Sequence, residues 1–320
     1  MSLEQNSTTV EQDEPPGAAE VEQQSSLRNA WNVLQRDRVA LVGAISVLVV
    51  ALLAVFTVLD EELFDAALIT AIHSDPYGLD ASVQLEGPSI QHPFGTDTLG
   101  RDVLSRIIYG ARVSVQVGIL AVGISSVLGV FFGLVAGFAG GRVDDAIMRF
   151  VDMLLAFPGI ILAIAVAGVL GPSLTNVVIA LSVQGWVTYA RLMRGEVLSV
   201  KEMDYIKSAE AIGASQYEIM LEDILPNAIY PIIVQSTMDL GNMIIAEAGL
   251  SFLGLGPQPP TPSWGNMLAE GRSVIDSAWW LSIFPGIAIF VTVMGFNLLG
   301  DALRDVMDPR DNTGRSEQGV

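Results

Sequence analysis

The sequence predicts an all-α integral membrane protein with six transmembrane helices and a polar helical hairpin in one inside loop. Three observations predict it. Of 320 residues, 51% are hydrophobic and only 16% charged, and the mean hydropathy of +0.50 lies well outside the range of soluble domains. The apolar residues gather in six runs, each about as long as the ~20 residues a helix needs to cross the hydrocarbon core. Between the fourth and fifth runs lies a polar segment, Ser199 to Asn227, that carries its own helix start and stop signals.

Met1 to Ser26 contain acids but no Lys or Arg, among Gln, Ser, Thr, Pro and Gly, so residues 1–27 are expected to form a disordered acidic tail on the cytoplasmic side. Residues 28–110 hold the first span and an external loop. Val39 to Leu59 is uncharged throughout, with Arg36 and Arg38 before it and Asp60, Glu61 and Glu62 after it, which reads as an anchor inserted amino end inside. At the end of the loop Leu104, Ile107, Ile108 and Ala111 oppose Arg101, Ser105 and Arg112 at helical spacing, predicting a separate helix lying at the outer interface.

Residues 111–304 form a five-helix core, with spans predicted at Val113 to Phe138, Ile147 to Leu170, Val177 to Met193, Ala228 to Leu253 and Trp279 to Leu299. Ala121, Ser125, Gly129, Gly133 and Gly137 recur every fourth residue of the second span. Such a stripe is a packing face, because in lipid it is close backbone approach that holds helices together. Phe157-Pro158-Gly159 and Phe284-Pro285-Gly286 are expected to bend the third and sixth spans. Six spans put both termini on one side. Arg28, Arg36, Arg38, Arg142, Arg191, Arg194, Lys201, Lys207, Arg304, Arg310 and Arg315 make that side cytoplasmic, with residues 305–320 as a second tail.

In the hairpin, Ser199 with Glu202 and Ser215 with Glu218 each fit the S-x-x-E capping box, so two short helices are expected. Gly213 would end the first in a left-handed turn and Pro226 would stop the second. Tyr205, Ile206, Ala209 and Ile212 fall near one face of the first helix, giving it a sticky side and a charged side.

Composition also excludes. A formal net charge of -19 argues against nucleic acid, and its placement on surface positions such as Glu218, Glu222 and Asp223 suggests a halophilic, archaeal source. The chain has no Cys and two His, leaving little for a metal centre. Catalytic constellations and the phosphate-binding G-x-x-x-x-G-K-[ST] string are absent, so the chain is not expected to be an enzyme or to carry a cofactor. Polar residues inside the spans are the remaining clue. Gln235, Asp239 and Asn242 form one helical stripe with Glu247 beyond it, and Gln184, Thr188 and Arg191 form another. Both pathway lining and interhelical hydrogen bonding account for them.

The string KSAEAIGAS at 207–215, continuing to ILPN at 224–227, resembles the coupling loop of the permease subunits of ABC importers. HPFGTDTLGRDVLSRIIYGARVS at 92–114, EAGLSFLGLGPQPPTPSWGNML at 247–268 and NLLGDALRDVMDPR at 297–310 resemble the C-type permease of the dipeptide, oligopeptide and nickel importers. The resemblance implies a type I ABC importer permease fold in a cell membrane, paired with a homologous second permease, two cytoplasmic ATPase subunits carrying Mg-ATP, and an external substrate-binding protein. It implies contact with the ATPase through Ala209, Glu210, Gly213, Leu225 and Pro226. Lys207 stands where the family has a glutamate, so that ionic contact would be lost, reversed or moved to Glu210. Peptide is the substrate the family suggests first, with nickel or oligosaccharides as alternatives. A transporter driven by an ion gradient, with Asp239 and Glu247 as coupling sites, is the rival from another class.

Overall fold

A computed structural model describes residues 37–307. The tail expected at 1–27, Arg28, Arg36, and residues 308–320 of the second tail with Arg310 and Arg315 lie outside the described residues. The chain runs as α1 (Arg38–Phe64), α2 (Ala67–Ile72), α3 (Val103–Ala139), α4 (Gly141–Leu155), α5 (Gly159–Leu170), α6 (Leu174–Lys201), α7 (Asp204–Ala211), α8 (Gln216–Glu218), a π-helical turn (Ile219–Ile224), α9 (Leu225–Ala228), α10 (Tyr230–Phe252), α11 (Trp264–Arg272) and α12 (Trp280–Met307). No strand occurs among the described residues.

Three helices, α1, α3 and α12, are long and apolar enough to cross a bilayer, and α4 with α5 makes a fourth if the bent pair is one span. α6 and α10, at 28 and 23 residues, exceed the ~20-residue minimum in length but carry the polar stripes that lower their hydropathy. The third predicted span is broken where Pro158 caps α5, with an 87° bend between α4 and α5. Its twelve-residue α5 reaches only ~18 Å, so it needs α4 to cross.

One expectation is corrected. The expected interfacial helix does not exist separately: α3 begins at Val103, where Asp102 accepts from the Ser105 amide at 2.8 Å, and runs unbroken to Ala139. Of its expected water-facing residues Arg101 and Ser105 are buried and Arg112 is half-buried; Asp97 and Glu270 supply the charge Arg101 needs, and Glu61 pairs with Arg112 at 3.0 Å. The sixth span contains its proline within one continuous helix. Pro285 lies in the second turn of α12, and the Leu281 carbonyl it cannot bond packs against Gly271 of α11.

The small-residue stripe is the centre of the bundle, since α3 and α6 share the largest interface. A Cβ at Gly137 would lie 2.8 Å from the Val197 Cβ, one at Gly133 would lie 2.7 Å from the Met193 Cβ, and one at Gly129 would lie 2.7 Å from the Trp186 carbonyl. No real side chain tolerates these distances, so the glycines set the separation of the helices. Lys201 donates to the Phe138 carbonyl at 3.0 Å and lies 5.3 Å from the Phe138 ring, tying the last turn of α6 to the end of α3. α1 packs on α3 and α12, and its Gly43 meets Leu298.

Replacing Gly133 with Val should destabilise the bundle by about 1–3 kcal/mol or more through overpacking. Ala at Gly123, where an added Cβ meets nothing within 4 Å, should leave stability unchanged. Thermal unfolding of the two variants in detergent checks both.

Candidate functional site

The hairpin is built on three inward anchors. Ile206 of α7 and Ile219 and Ile224 of the π turn are buried in one cluster with Met193, Val197 and Val200 of α6, so the hairpin is fixed to the α3–α6 pair. Of the two capping boxes only the second forms: the Glu218 amide donates to the Ser215 Oγ at 3.2 Å and the Ser215 amide to the Glu218 carboxylate at 2.9 Å. Those hydrogen bonds hold the Glu218 carboxyl below the usual carboxylate range. Ser199 instead lies inside α6, which stays helical to Lys201 because Val197 and Val200 are buried, and α7 starts from Met203 without a side-chain cap. Gly213 has φ +86° and turns the chain, as expected. Pro226 does not stop the second helix. It lies in the first turn of α9, where its missing donor costs nothing, and the helical path continues through the π turn toward α10.

The expected sticky face of α7 is split. Ile206 is buried and Ala209 packs against the same cluster, whereas Tyr205 and Ile212 point away from it. Ile212 is 86% exposed and Tyr217 76% exposed, and Leu221 and Met203 are also uncovered. Lys207 bonds ionically to Glu202 at 3.2 Å, so the cation that replaces the family's glutamate is neutralised within the loop. Glu210 is exposed, Leu225 packs inward and Pro226 is exposed.

The two intramembrane stripes fare differently. On α10 the Gln235 and Asn242 amides both donate to Oδ1 of Asp239, at 3.1 and 3.3 Å. Glu247 does not belong with them: it is fully buried and accepts from Ser251 at 2.6 Å and Ser114 at 3.2 Å, tying α10 to α3. Its placement is that of an interhelical tie, the second of the two roles that account for such residues. On α6 Gln184 packs beside Gly159 at the helix break with its carbonyl oxygen buried and unbonded, Thr188 is exposed, and Arg191 reaches Asp152 of α4 at 2.6 Å.

Residues 129–311 match the family model described as "Binding-protein-dependent transport system inner membrane component". The dipeptide transport system permease protein DppC of Alkalihalophilus pseudofirmus is 42% identical over 302 residues, covering 94% of this chain and 96% of the relative. The glutathione transport system permease protein GsiD of Escherichia coli O6:K15:H31 is 45% identical over 280 residues, 88% of this chain and 89% of the relative. A solved amino acid ABC transporter with histidines shares the fold, with a TM-score of 0.51 at 18% identity over 63% of this chain and 94% of that one. The chain belongs to the binding-protein-dependent transport system inner membrane components.

In this permease the segment between α1 and α3 is a folded cap. Asp97 receives both Arg101 and Arg106, and Glu270 of α11 bonds to the same two guanidinium groups at 3.3 and 3.1 Å. His73 and His92 both approach Asp102, at 3.2 and 2.9 Å. Trp264 begins α11 and is buried, donating to the Ile107 carbonyl at 2.9 Å. The Asp97 to Arg101 spacing carried a local signal for this network. Glu270 comes from far along the chain and carried none.

A second clamp joins α6 to α4. Arg194 of α6 grips Asp144 of α4 with two hydrogen bonds, 2.5 and 2.6 Å, and these hold the Asp144 carboxyl below the usual range against the opposing effect of burial. A carboxyl lowered in the folded state contributes stability above its unfolded pKa of about 4 and loses it as pH falls through the folded value. Asp144→Asn should therefore cost roughly 1 kcal/mol at neutral pH, a figure discounted for solvent access to the pair. The difference from wild type should begin to shrink below about pH 4 and vanish only once the pH has fallen through the lower folded value, which unfolding measured against pH checks.

Proposed function

We propose that the permease forms half of the translocation pathway of an ATP-driven importer for di- or oligopeptides. The observation that carries it is the hairpin. Aromatic and aliphatic side chains at Tyr205, Ile212, Tyr217 and Leu221 are held outside the bundle by buried Ile206, Ile219 and Ile224, on an element too polar to face lipid. Exposed anchors of this kind on a rigid base suit a protein groove. The receiving subunits are two cytoplasmic ATPases that hold Mg-ATP, since this sequence has no nucleotide-binding string of its own. A homologous second permease supplies the other half of the pathway and an external binding protein delivers the substrate. In this reading there are six spans with both termini cytoplasmic, and ATP binding draws the hairpin and α6 together with α3 through Lys201.

The peptide class is supported by relatives named for dipeptide and glutathione transport, the latter ligand itself a peptide. Asp239, with its stripe partners Gln235 and Asn242, and Gln184 with Thr188 are the residues of this subunit that line the path. The charge of -19 suits a salt-rich habitat, although the relatives named above are bacterial rather than archaeal.

Tagged permease purified from its native membranes at high salt should bring down a second permease and ATPase subunits, and vesicles of that assembly with its binding protein should accumulate dipeptide only with ATP. Uptake that continues without ATP but stops when an ion gradient is collapsed would overturn the reading. Ile212→Asp, which places a charge on the exposed anchor, should cut ATPase recovery about tenfold or more while the two permeases still co-purify. ATP-driven uptake should persist in multimolar salt and fall at 0.1 M, where screening of the acidic surface is weaker; equal rates at both salt concentrations would count against the salt-rich habitat.

A further inference from the structure

Asp239 sits well inside α10, roughly 14 Å from one end of the helix and 20 Å from the other. A carboxyl at such depth faces a bundle interior or an aqueous path, because lipid solvates it poorly. Among the described residues no Lys, Arg or His forms an ion pair with it, whereas Asp144, Asp152 and Glu61 are each paired with an arginine. Glu247, the other deep acid, is enclosed and has both carboxyl oxygens occupied by serine hydroxyls.

Asp239 differs in both respects. Its two amide donors share a single oxygen, Oδ1, and no described residue donates to Oδ2. Asn242 beside it is exposed and Asp239 itself half-buried, so the pair is not sealed in the core as Glu247 is. A second observation points to the same place. The Tyr189 hydroxyl of α6 is fully buried, faces Asp239 and Ser236, and makes no well-formed hydrogen bond. Ser236 spends its own hydroxyl on the Ile232 carbonyl at 2.7 Å. A carboxyl oxygen and a phenolic oxygen thus lie on neighbouring helices with acceptor capacity unused, in a region where an unused polar atom is costly.

We infer that Asp239 and Tyr189 form a binding site for the α-ammonium group of the transported peptide. An ammonium brings three donors and one positive charge, and the site offers two acceptor oxygens and the compensating negative charge. The amides of Gln235 and Asn242 fix the carboxyl rather than bind substrate; they are positioning residues. The inference rests on the peptide importer reading and adds to it that this subunit, and not the external binding protein alone, discriminates by the amino terminus.

Inhibition from the inside bypasses the binding protein. Vesicles of the full assembly, loaded internally with either alanyl-alanine or N-acetyl-alanyl-alanine, would be assayed for ATP-driven uptake of labelled dipeptide. Internal free dipeptide should inhibit wild type at least about tenfold more effectively than the acetylated form, the difference expected from one charge-assisted hydrogen bond. Asp239→Asn should abolish that preference, Asp239→Glu should keep it, and Tyr189→Phe should reduce it. Equal inhibition by the two peptides in wild type, no inhibition by either, or an unchanged preference in Asp239→Asn would overturn the site. Loss of co-purification with the second permease in both Asp239 variants would also overturn it, assigning the carboxyl to subunit contact. Absence of any ATP-driven uptake by wild type would instead be a failure of the importer reading.

Discussion

The side chains that Gly129, Gly133 and Gly137 lack let α3 lie directly on the backbone of α6 over about two turns, and the positions of the other working parts follow from that contact. Within lipid there is no hydrophobic gain in bringing two apolar helices together, so the association depends on dispersion contacts that only close approach supplies. Because the two helices touch at Tyr189, Met193 and Val197, the face of α6 that carries Tyr189 is turned toward α10 as well, next to Asp239. Lys201 closes the pair at the last residue of α6, just before α7 begins at Asp204. A shift of the hairpin therefore moves a two-helix unit and not a single flexible strand.

Charge is distributed along that unit by depth. At one end the cap is held by Asp97, Arg101, Arg106 and Glu270, mutually paired. In the middle the acids meet neutral donors only: Glu247 two serines, Asp239 two amides. At the opposite end ion pairs return, with Asp144 on Arg194, Asp152 on Arg191 and Lys207 on Glu202. The depth where cations are missing is also the depth where a moving substrate would be out of bulk water, and there the protein keeps polar groups that are fixed but not all used.

Most of the bundle was legible because its signals are periodic and local. The four-residue glycine stripe, the Ser215 and Glu218 box and the left-handed Gly213 are properties of neighbouring residues, and each appears where expected. Failures occurred where a distant partner decided the outcome. Arg101 looked water-facing because Glu270 could not be placed beside it from sequence. Ser199 looked like a cap because the burial of Val197 and Val200, which keeps α6 helical past it, depends on the hairpin folding back. Tyr189 gave no functional signal at all, since an aromatic on an apolar helix reads as core until a facing carboxyl is known. The stripe Gln235, Asp239 and Asn242 was readable as a stripe, whereas the enclosure of Glu247 by Ser114 was not.

The account stands or falls on what covers the exposed end of the hairpin. The sequence contains no cysteine, so Ile212→Cys gives a single addressable thiol, and Ile90→Cys, 98% exposed on the external cap, gives a matched control. Labelling each with a short thiol-linked photo-crosslinker in native membranes and identifying the captured chain is the most direct measurement. Capture of an ATPase subunit from position 212 and not from position 90 is the predicted result. Capture at 212 of the second permease alone, or of lipid, with no ATPase, would contradict it.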